Sequence, residues 1–124
     1  MTFNFTSLEI NYLSLQKKLI PYMVRHVILW RLKESLSADS KENIKKDIKE
    51  GLEALKGKVP GIVDIRVNIN GLPSSNAGVM LDSSFTDVES LKAYAVHPLH
   101  VAVAETKIKP FTELRTCLDF QAEE

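Results

Sequence analysis

Val24-Arg25-His26-Val27-Ile28-Leu29-Trp30-Arg31-Leu32 alternates along its whole length. Successive side chains of an extended chain point to opposite faces, so Val24, His26, Ile28 and Trp30 share one side. Arg25, Val27, Leu29 and Arg31 share the other. The first set is apolar apart from one histidine and suits a face covered by helices. The second mixes hydrophobes with arginines and suits a face that meets something other than a plain core.

Working downstream, Asp39 and Glu42 have capping-box spacing, and Ile44, Ile48, Leu52 and Leu55 then recur at helical intervals among lysines. Gly57 ends that helix and Pro60-Gly61 turns the chain. Ile62 to Ile69 alternates as a second strand, with Val63, Ile65, Val67 and Ile69 set against Asp64, Arg66, Asn68 and Asn70. Gly71 to Asn76 is a polar connection, and a third strand is predicted over Ala77 to Ser83. Thr86 and Glu89 form a second capping box, opening a helix with Val88, Leu91 and Ala95 on one side. Pro98 breaks it, a further helical piece runs to about Thr106, and Thr112 to Phe120 alternates as the last strand.

Two strand-helix-strand units in tandem give an α+β, ferredoxin-like βαββαβ fold with a four-stranded antiparallel sheet. Its helix-facing set is expected to be Ile28, Trp30, Val63, Ile65, Val67, Val79, Leu81, Leu114 and Leu118. The opposite face is expected to carry Val27, Leu29, Met80 and Cys117, ringed by Arg25, Arg31, Arg66, Arg115, Asp64, Asp82, Glu113 and Asp119. An apolar middle with a charged rim is the anatomy of an interface, although a solvated antiparallel face also tolerates scattered hydrophobes.

The totals narrow the function. Sixteen basic and sixteen acidic side chains cancel, which leaves no electrostatic footprint for nucleic acid. A single cysteine excludes an internal disulfide and fits the cytoplasm. No apolar run approaches the roughly 18 residues of a membrane span. Residues 1–22 stand apart from the domain at 23–124. They lack the basic start and cleavage site of a signal peptide. Either Leu8, Tyr12, Leu15 and Leu19 form one helical stripe that covers an edge or a partner, or Met23 is the natural start.

All three histidines, His26, His97 and His100, fall in segments with chemical promise. With Pro98 at a helix's first position, His100 lies in the first turn, where the dipole disfavours its imidazolium. A neutral imidazole is a general base. Tyr94, across the break, suits holding a carbonyl oxygen or bonding that base. His97 reads as a helix cap, and His26 as either a polar group of a site or a buried histidine bonded to backbone. Tyr94 and His100 also admit a purely structural reading, as a hydrogen-bonded pair stapling the broken helix. No carboxylate stands at ligand spacing from these histidines, so neither a metal nor a cofactor is expected.

Three segments, Val24 to Trp30, Val59-Pro60-Gly61-Ile62, and Leu91-Lys92-Ala93-Tyr94-Ala95-Val96-His97-Pro98-Leu99-His100-Val101, resemble the stress-responsive A/B barrel family over about residues 23 to 120. The resemblance implies a homodimer in which two sheets close an α/β barrel. Plant polyketide cyclases of that family place a catalytic tyrosine and histidine where this chain has Tyr94 and His100, and His26 matches their first-strand histidine. The chain departs from them at Val79, where they carry a further histidine, and at Ile44, Lys45 and Ile48, where they carry aromatics. The expected site is therefore His100, Tyr94 and His26 in a pocket lined by Ile28, Trp30, Ile44, Ile48, Ile65 and Leu81. It would take a small carbonyl-bearing molecule, for cyclase- or lyase-like acid-base chemistry. A non-catalytic assembly protein and a cofactor-free monooxygenase are the alternatives, and dimerisation is expected through Val27, Leu29, Met80 and Cys117.

Overall fold

A computed structural model describes residues 22–123 of the chain. The expected helical stripe Leu8–Leu19 lies outside the described residues. The elements run β1 (Tyr22–Leu32), α1 (Ala38–Glu53), β2 (Ile62–Asn68), β3 (Val79–Phe85), α2 (Val88–Val96), α3 (Pro98–Val103) and β4 (Thr112–Glu123). A π-helical turn at Ala104–Ile108 and a 3-10 turn at Lys109–Phe111 carry α3 into β4. The four strands form one antiparallel sheet in the order β2-β3-β1-β4. This is the ferredoxin-like βαββαβ arrangement. Among the described residues no helix is long and apolar enough to cross a membrane.

The caps differ from those expected. Ser37, not Asp39, caps α1, its Oγ accepting from the Ser40 N–H at 3.1 Å. Asp39 sits in the first turn, where its charge meets the positive helix end. Asp87, not Thr86, caps α2, accepting from the Ser90 N–H at 2.7 Å. In each case the capping side chain belongs to the residue whose backbone is still extended. The turn before β2 is held by Gly61, whose φ of +89° disfavours any side chain, and a Cβ there would run into Ser90.

Ile44, Ile48 and Leu52 of α1 pack with Ile28, Trp30, Ile65, Val67, Val79, Leu81 and Phe85 of the sheet into one buried core. Val63 is not part of it. The β2–β3 register shifts between Ile62 and Asp64, so Val63 is bulged out and exposed while Ile62 packs against the core.

The last strand carries the main correction. Directly opposed residues of antiparallel strands share a face, and β4 pairs with β1 as His26↔Asp119, Ile28↔Cys117 and Trp30↔Arg115. Asp119, Cys117 and Arg115 therefore lie on the helix-facing side with His26, Ile28 and Trp30. Leu114, Thr116, Leu118 and Phe120 pair with Arg31, Leu29, Val27 and Arg25 on the outer side. Cys117 is thus absent from the face predicted to dimerise, and Leu114 and Leu118 are absent from the core. Their apolar surface joins Val27, Leu29 and Met80 instead, with Leu118 62% exposed and Leu114 51% exposed.

Candidate functional site

A cleft of about 870 Å³ opens between the β1–β4 half of the sheet and the segment running from α2 through α3 to the π turn. His26, Tyr94 and His100 all line it, together with Ile28, Trp30 and Leu81. The other three expected lining residues do not. Ile44, Ile48 and Ile65 are sealed beneath α1 as core, because α1 lies flat on the β2–β3–β1 side and leaves no space there. The open space lies instead over β4, which no long helix covers.

The broken helix shapes one wall of the cleft. Proline cannot donate to α2, so α2 ends at Val96 and α3 begins at Pro98. His97 is the joint, with its Nδ1 accepting from the Leu99 N–H at 3.1 Å. That capping bond occupies the Leu99 N–H, the donor that an unbroken helix would have offered to the Ala95 carbonyl. The His100 ring takes it over, with Nδ1 3.2 Å from the Ala95 oxygen. A carbonyl oxygen only accepts, so Nδ1 carries the proton and Nε2 keeps its lone pair. Burial pushes the His100 imidazole below its ordinary pKa, and the positive charges of Arg115 and Lys109 act in the same direction, against the Ala95 bond. Desolvation is the main cause of a neutral His100, rather than the dipole of a helix only six residues long.

Tyr94 is the centre of an aromatic group. Its ring lies 4.2 Å from that of His100, 4.9 Å from Phe85 and 6.1 Å from His26, measured between centroids. It is 1% exposed, yet among the described residues no group hydrogen-bonds its hydroxyl. The rings of Tyr94 and His100 stack, and the structural hydrogen bond considered between them does not form. Burial raises the Tyr94 phenol above its ordinary range, with Arg115 pulling the other way. It therefore stays protonated at neutral pH and can donate a hydrogen bond.

His26 is buried on β1, and its Nδ1 is hydrogen-bonded to the Asp119 carboxylate directly across the sheet. A carboxylate in that position fixes the imidazole's orientation and leaves Nε2 available. The partner is thus a side chain, not the backbone group expected of a buried histidine from the sequence. Cys117 sits beside the pair, with Sγ 3.5 Å from Asp119 Oδ1 and 3.8 Å from His26 Nδ1. Burial and the Asp119 charge hold its thiol above the ordinary value, so it stays protonated. Arg115 also lines the cleft. Asp119, Cys117 and Arg115 line the cleft and not the outer face that the sequence predicts for them, because the two faces of the last strand are exchanged relative to that expectation. The signal that would have found them is the repeated polar set Arg115, Cys117, Asp119 and Gln121 at every second position.

Three orienting groups thus converge on one apolar cleft: a neutral imidazole with a defined lone pair, a phenol that needs an acceptor, and a carboxylate-anchored histidine. That set can hold an oxygen and move a proton. A stress responsive A/B barrel domain model matches residues 24–122. A dimeric protein of unknown function and ferredoxin-like fold from Bacteroides fragilis is 33% identical, with 81% of this chain and 96% of that one covered at a TM-score of 0.76. A dabb family protein with a ferredoxin-like fold from Mesorhizobium loti is 20% identical, covering 80% and 95% at 0.62. The hydroxynitrile lyase of Passiflora edulis is also 20% identical, covering 84% and 96% at 0.64. No curated protein matches the chain.

Proposed function

The chain belongs to the stress responsive A/B barrel domain family, and from that premise we propose that it is a homodimer whose cleft binds a small carbonyl-bearing molecule. In this reading Tyr94 and His100 act on the bound molecule as an acid-base pair. The observation that carries it is the Tyr94 hydroxyl, buried without a partner among the described residues on the wall of an apolar cleft. Buried polar groups are almost always bonded, and an unpartnered one beside a cleft is a candidate donor to a bound molecule. A carbonyl oxygen accepting from Tyr94 would bring its neighbouring carbon toward His100. The Nε2 lone pair then takes a proton from that carbon, and the C–H electron pair passes into an enolate whose oxygen stays bonded to Tyr94. Return of the proton from His100 to carbon gives exchange. Breaking a bond from the β-carbon to a leaving group, which takes that proton as the enolate reverts to the carbonyl, is a lyase-type step. Attack of the enolate carbon on a second carbonyl of the same molecule, whose oxygen takes the proton, forms the ring bond of a cyclase-type step. His26, held by Asp119, offers a further Nε2 for orienting the substrate.

The homodimer is supported by the dimeric Bacteroides fragilis relative and by the outer face itself. Val27, Leu29, Met80, Leu114, Leu118 and Phe120 form its apolar part, and ion pairs Arg25–Asp82 and Arg31–Glu113 stand beside them. The hydroxynitrile lyase shares the fold. The reading is tested by following loss of the α-proton NMR signals of cyclohexanone in D₂O. Exchange faster than buffer, lost in both Tyr94→Phe and His100→Ala with the dimer intact, is the expected result. Exchange at the buffer rate, with no rise in melting temperature across a panel of small ketones and β-dicarbonyls, would leave the non-catalytic assembly reading in its place.

A further inference from the structure

The register of β1 against β4 brings together three side chains that no sequence spacing connects. His26 Nδ1, Cys117 Sγ and an Asp119 carboxylate oxygen all lie within 4.8 Å of one another. From these we infer that His26, Cys117 and Asp119 form a binding site for a divalent transition-metal ion of the zinc class, with its fourth position open to the cleft. The inference stands apart from the acid-base reading, since it needs neither Tyr94 nor His100.

Donor geometry supports it first. Tetrahedral zinc takes nitrogen and oxygen at about 2.0–2.2 Å and sulfur at about 2.3 Å, which puts neighbouring donor atoms about 3.4–3.6 Å apart. The Sγ–Oδ1 separation is 3.5 Å and the Sγ–Nδ1 separation 3.8 Å. One edge of the ligand triangle therefore already has the required length, and a second is about 0.2 Å too long. The third edge, the hydrogen bond between His26 and Asp119, is shorter than an ion requires, so the two side chains must part as the ion replaces the proton between them.

Donor chemistry selects the ion. One imidazole, one sulfur and one carboxylate form a borderline-to-soft set suited to Zn²⁺, Co²⁺ or Fe²⁺. Magnesium and calcium, which need oxygen ligands throughout, are not served by it. Binding an ion releases the Cys117 proton, and the resulting thiolate with the Asp119 carboxylate neutralises a dication, so the wall of an apolar cleft can hold it without net charge. Arg115, on the same face of β4, is the adjacent cation. Placement supplies the last argument. All three residues line the cleft, and all three stand on two paired strands, so the donors are held by the sheet and not by a loop. Three protein ligands and one accessible position is the pattern of zinc sites that act on a bound molecule.

The test uses untagged full-length protein, freed of metal by chelation, kept reduced and titrated with Co²⁺. One equivalent per protomer should produce the intense visible bands of a four-coordinate ion, together with a near-ultraviolet sulfur-to-cobalt charge-transfer band. Zn²⁺ should abolish both in competition, and excess Mg²⁺ should leave them unchanged. Cys117→Ser should remove the charge-transfer band. Asp119→Asn should weaken Co²⁺ at least about 10-fold, given that loss of an outer-shell partner alone costs 10- to 100-fold. His97→Ala, at the helix joint, should change nothing. Circular dichroism of each variant separates lost ligation from lost folding. A pale six-coordinate spectrum without a charge-transfer band, or full retention of that band in Cys117→Ser, overturns the assignment.

Discussion

Replacing Tyr94 by Phe should make the ligand-free protein more stable. The Tyr94 hydroxyl is out of contact with solvent and bonds no group among the described residues. A buried donor left unpaired forfeits its hydration, at a cost of about 1–3 kcal/mol. Phenylalanine retains the contacts with Phe85 and His100 at 4.9 and 4.2 Å and removes only the stranded oxygen. A small void where that oxygen stood takes back part of the gain, so a net increase of about 0.5–2 kcal/mol is expected. For a domain of about 100 residues each kcal/mol moves the melting temperature by about 4–8 °C. Urea unfolding at a fixed protomer concentration, followed by circular dichroism, should show a higher midpoint with an unchanged slope. The same variant should lose the melting-temperature rise produced by a carbonyl ligand. A destabilisation of 1 kcal/mol or more would refute the reasoning, because it would mean the hydroxyl already has a partner and serves the fold.

His100 should give stability a pH dependence of defined sign. Its folded pKa is lowered, mainly by burial, so the unfolded state binds the proton first. Stability is then full above the unfolded value of about 6.5, falls as pH drops through it, and levels off below the lowered folded value. His100→Gln should flatten that limb in urea midpoints measured from pH 7.5 to 5. Leu118→Asp places a carboxylate in the middle of the proposed interface and should weaken the dimer by about 3–5 kcal/mol, or two to four orders of magnitude in Kd. Sedimentation velocity should show monomer at micromolar concentration, with Leu72→Asp, on the exposed β2–β3 connection, remaining dimeric. Gly61→Ala should destabilise by about 1–3 kcal/mol through its φ of +89°. Adding Ser90→Gly should recover only the part due to the clash, as read from urea midpoints.

Much of this arrangement is legible in the sequence because periodicity is a local signal. The alternation of β1 separates Val24, His26, Ile28 and Trp30 from the outer set correctly, and the helical spacing of Ile44, Ile48 and Leu52 marks the buried stripe of α1. Pro98 announces the break, and the break brings Tyr94, His97 and His100 to one place. What alternation does not reveal is which face is covered. In β4 the apolar set Leu114, Leu118 and Phe120 looks like a core face, yet in the single subunit it is exposed. Here the helices stop short of β4, so its inner side borders a cleft and takes polar residues. Val63 was misplaced for a related reason. A bulge inserts one residue and reverses the parity of the strand, and nothing local in Ile62-Val63-Asp64 marks it. The pocket residues Ile44, Ile48 and Ile65 share the buried face with the true lining, and only packing separates filled space from open space.

The polarity of β4 links the site to assembly. A slip of one residue against β1 would turn Asp119, Cys117 and Arg115 outward and Leu118 and Phe120 into the cleft. Hydrophobic contact with the helices does not oppose that slip, because the helices do not reach β4. Two things do. One is the row of outward hydrophobes Leu114, Leu118 and Phe120 beside Val27 and Leu29, which gains from burial only in the observed register and only if a partner covers it. The other is the bond from Asp119 to His26, which exists only in that register. A dimer formed through the outer face would therefore hold the inner face in alignment, about one strand's thickness away from the contact. On this argument a monomeric variant keeps its core, since Ile48, Leu52, Val67 and Phe85 lie under the helices. What it loses first is the pairing of β4 with β1, and with it the Asp119 carboxylate that orients His26.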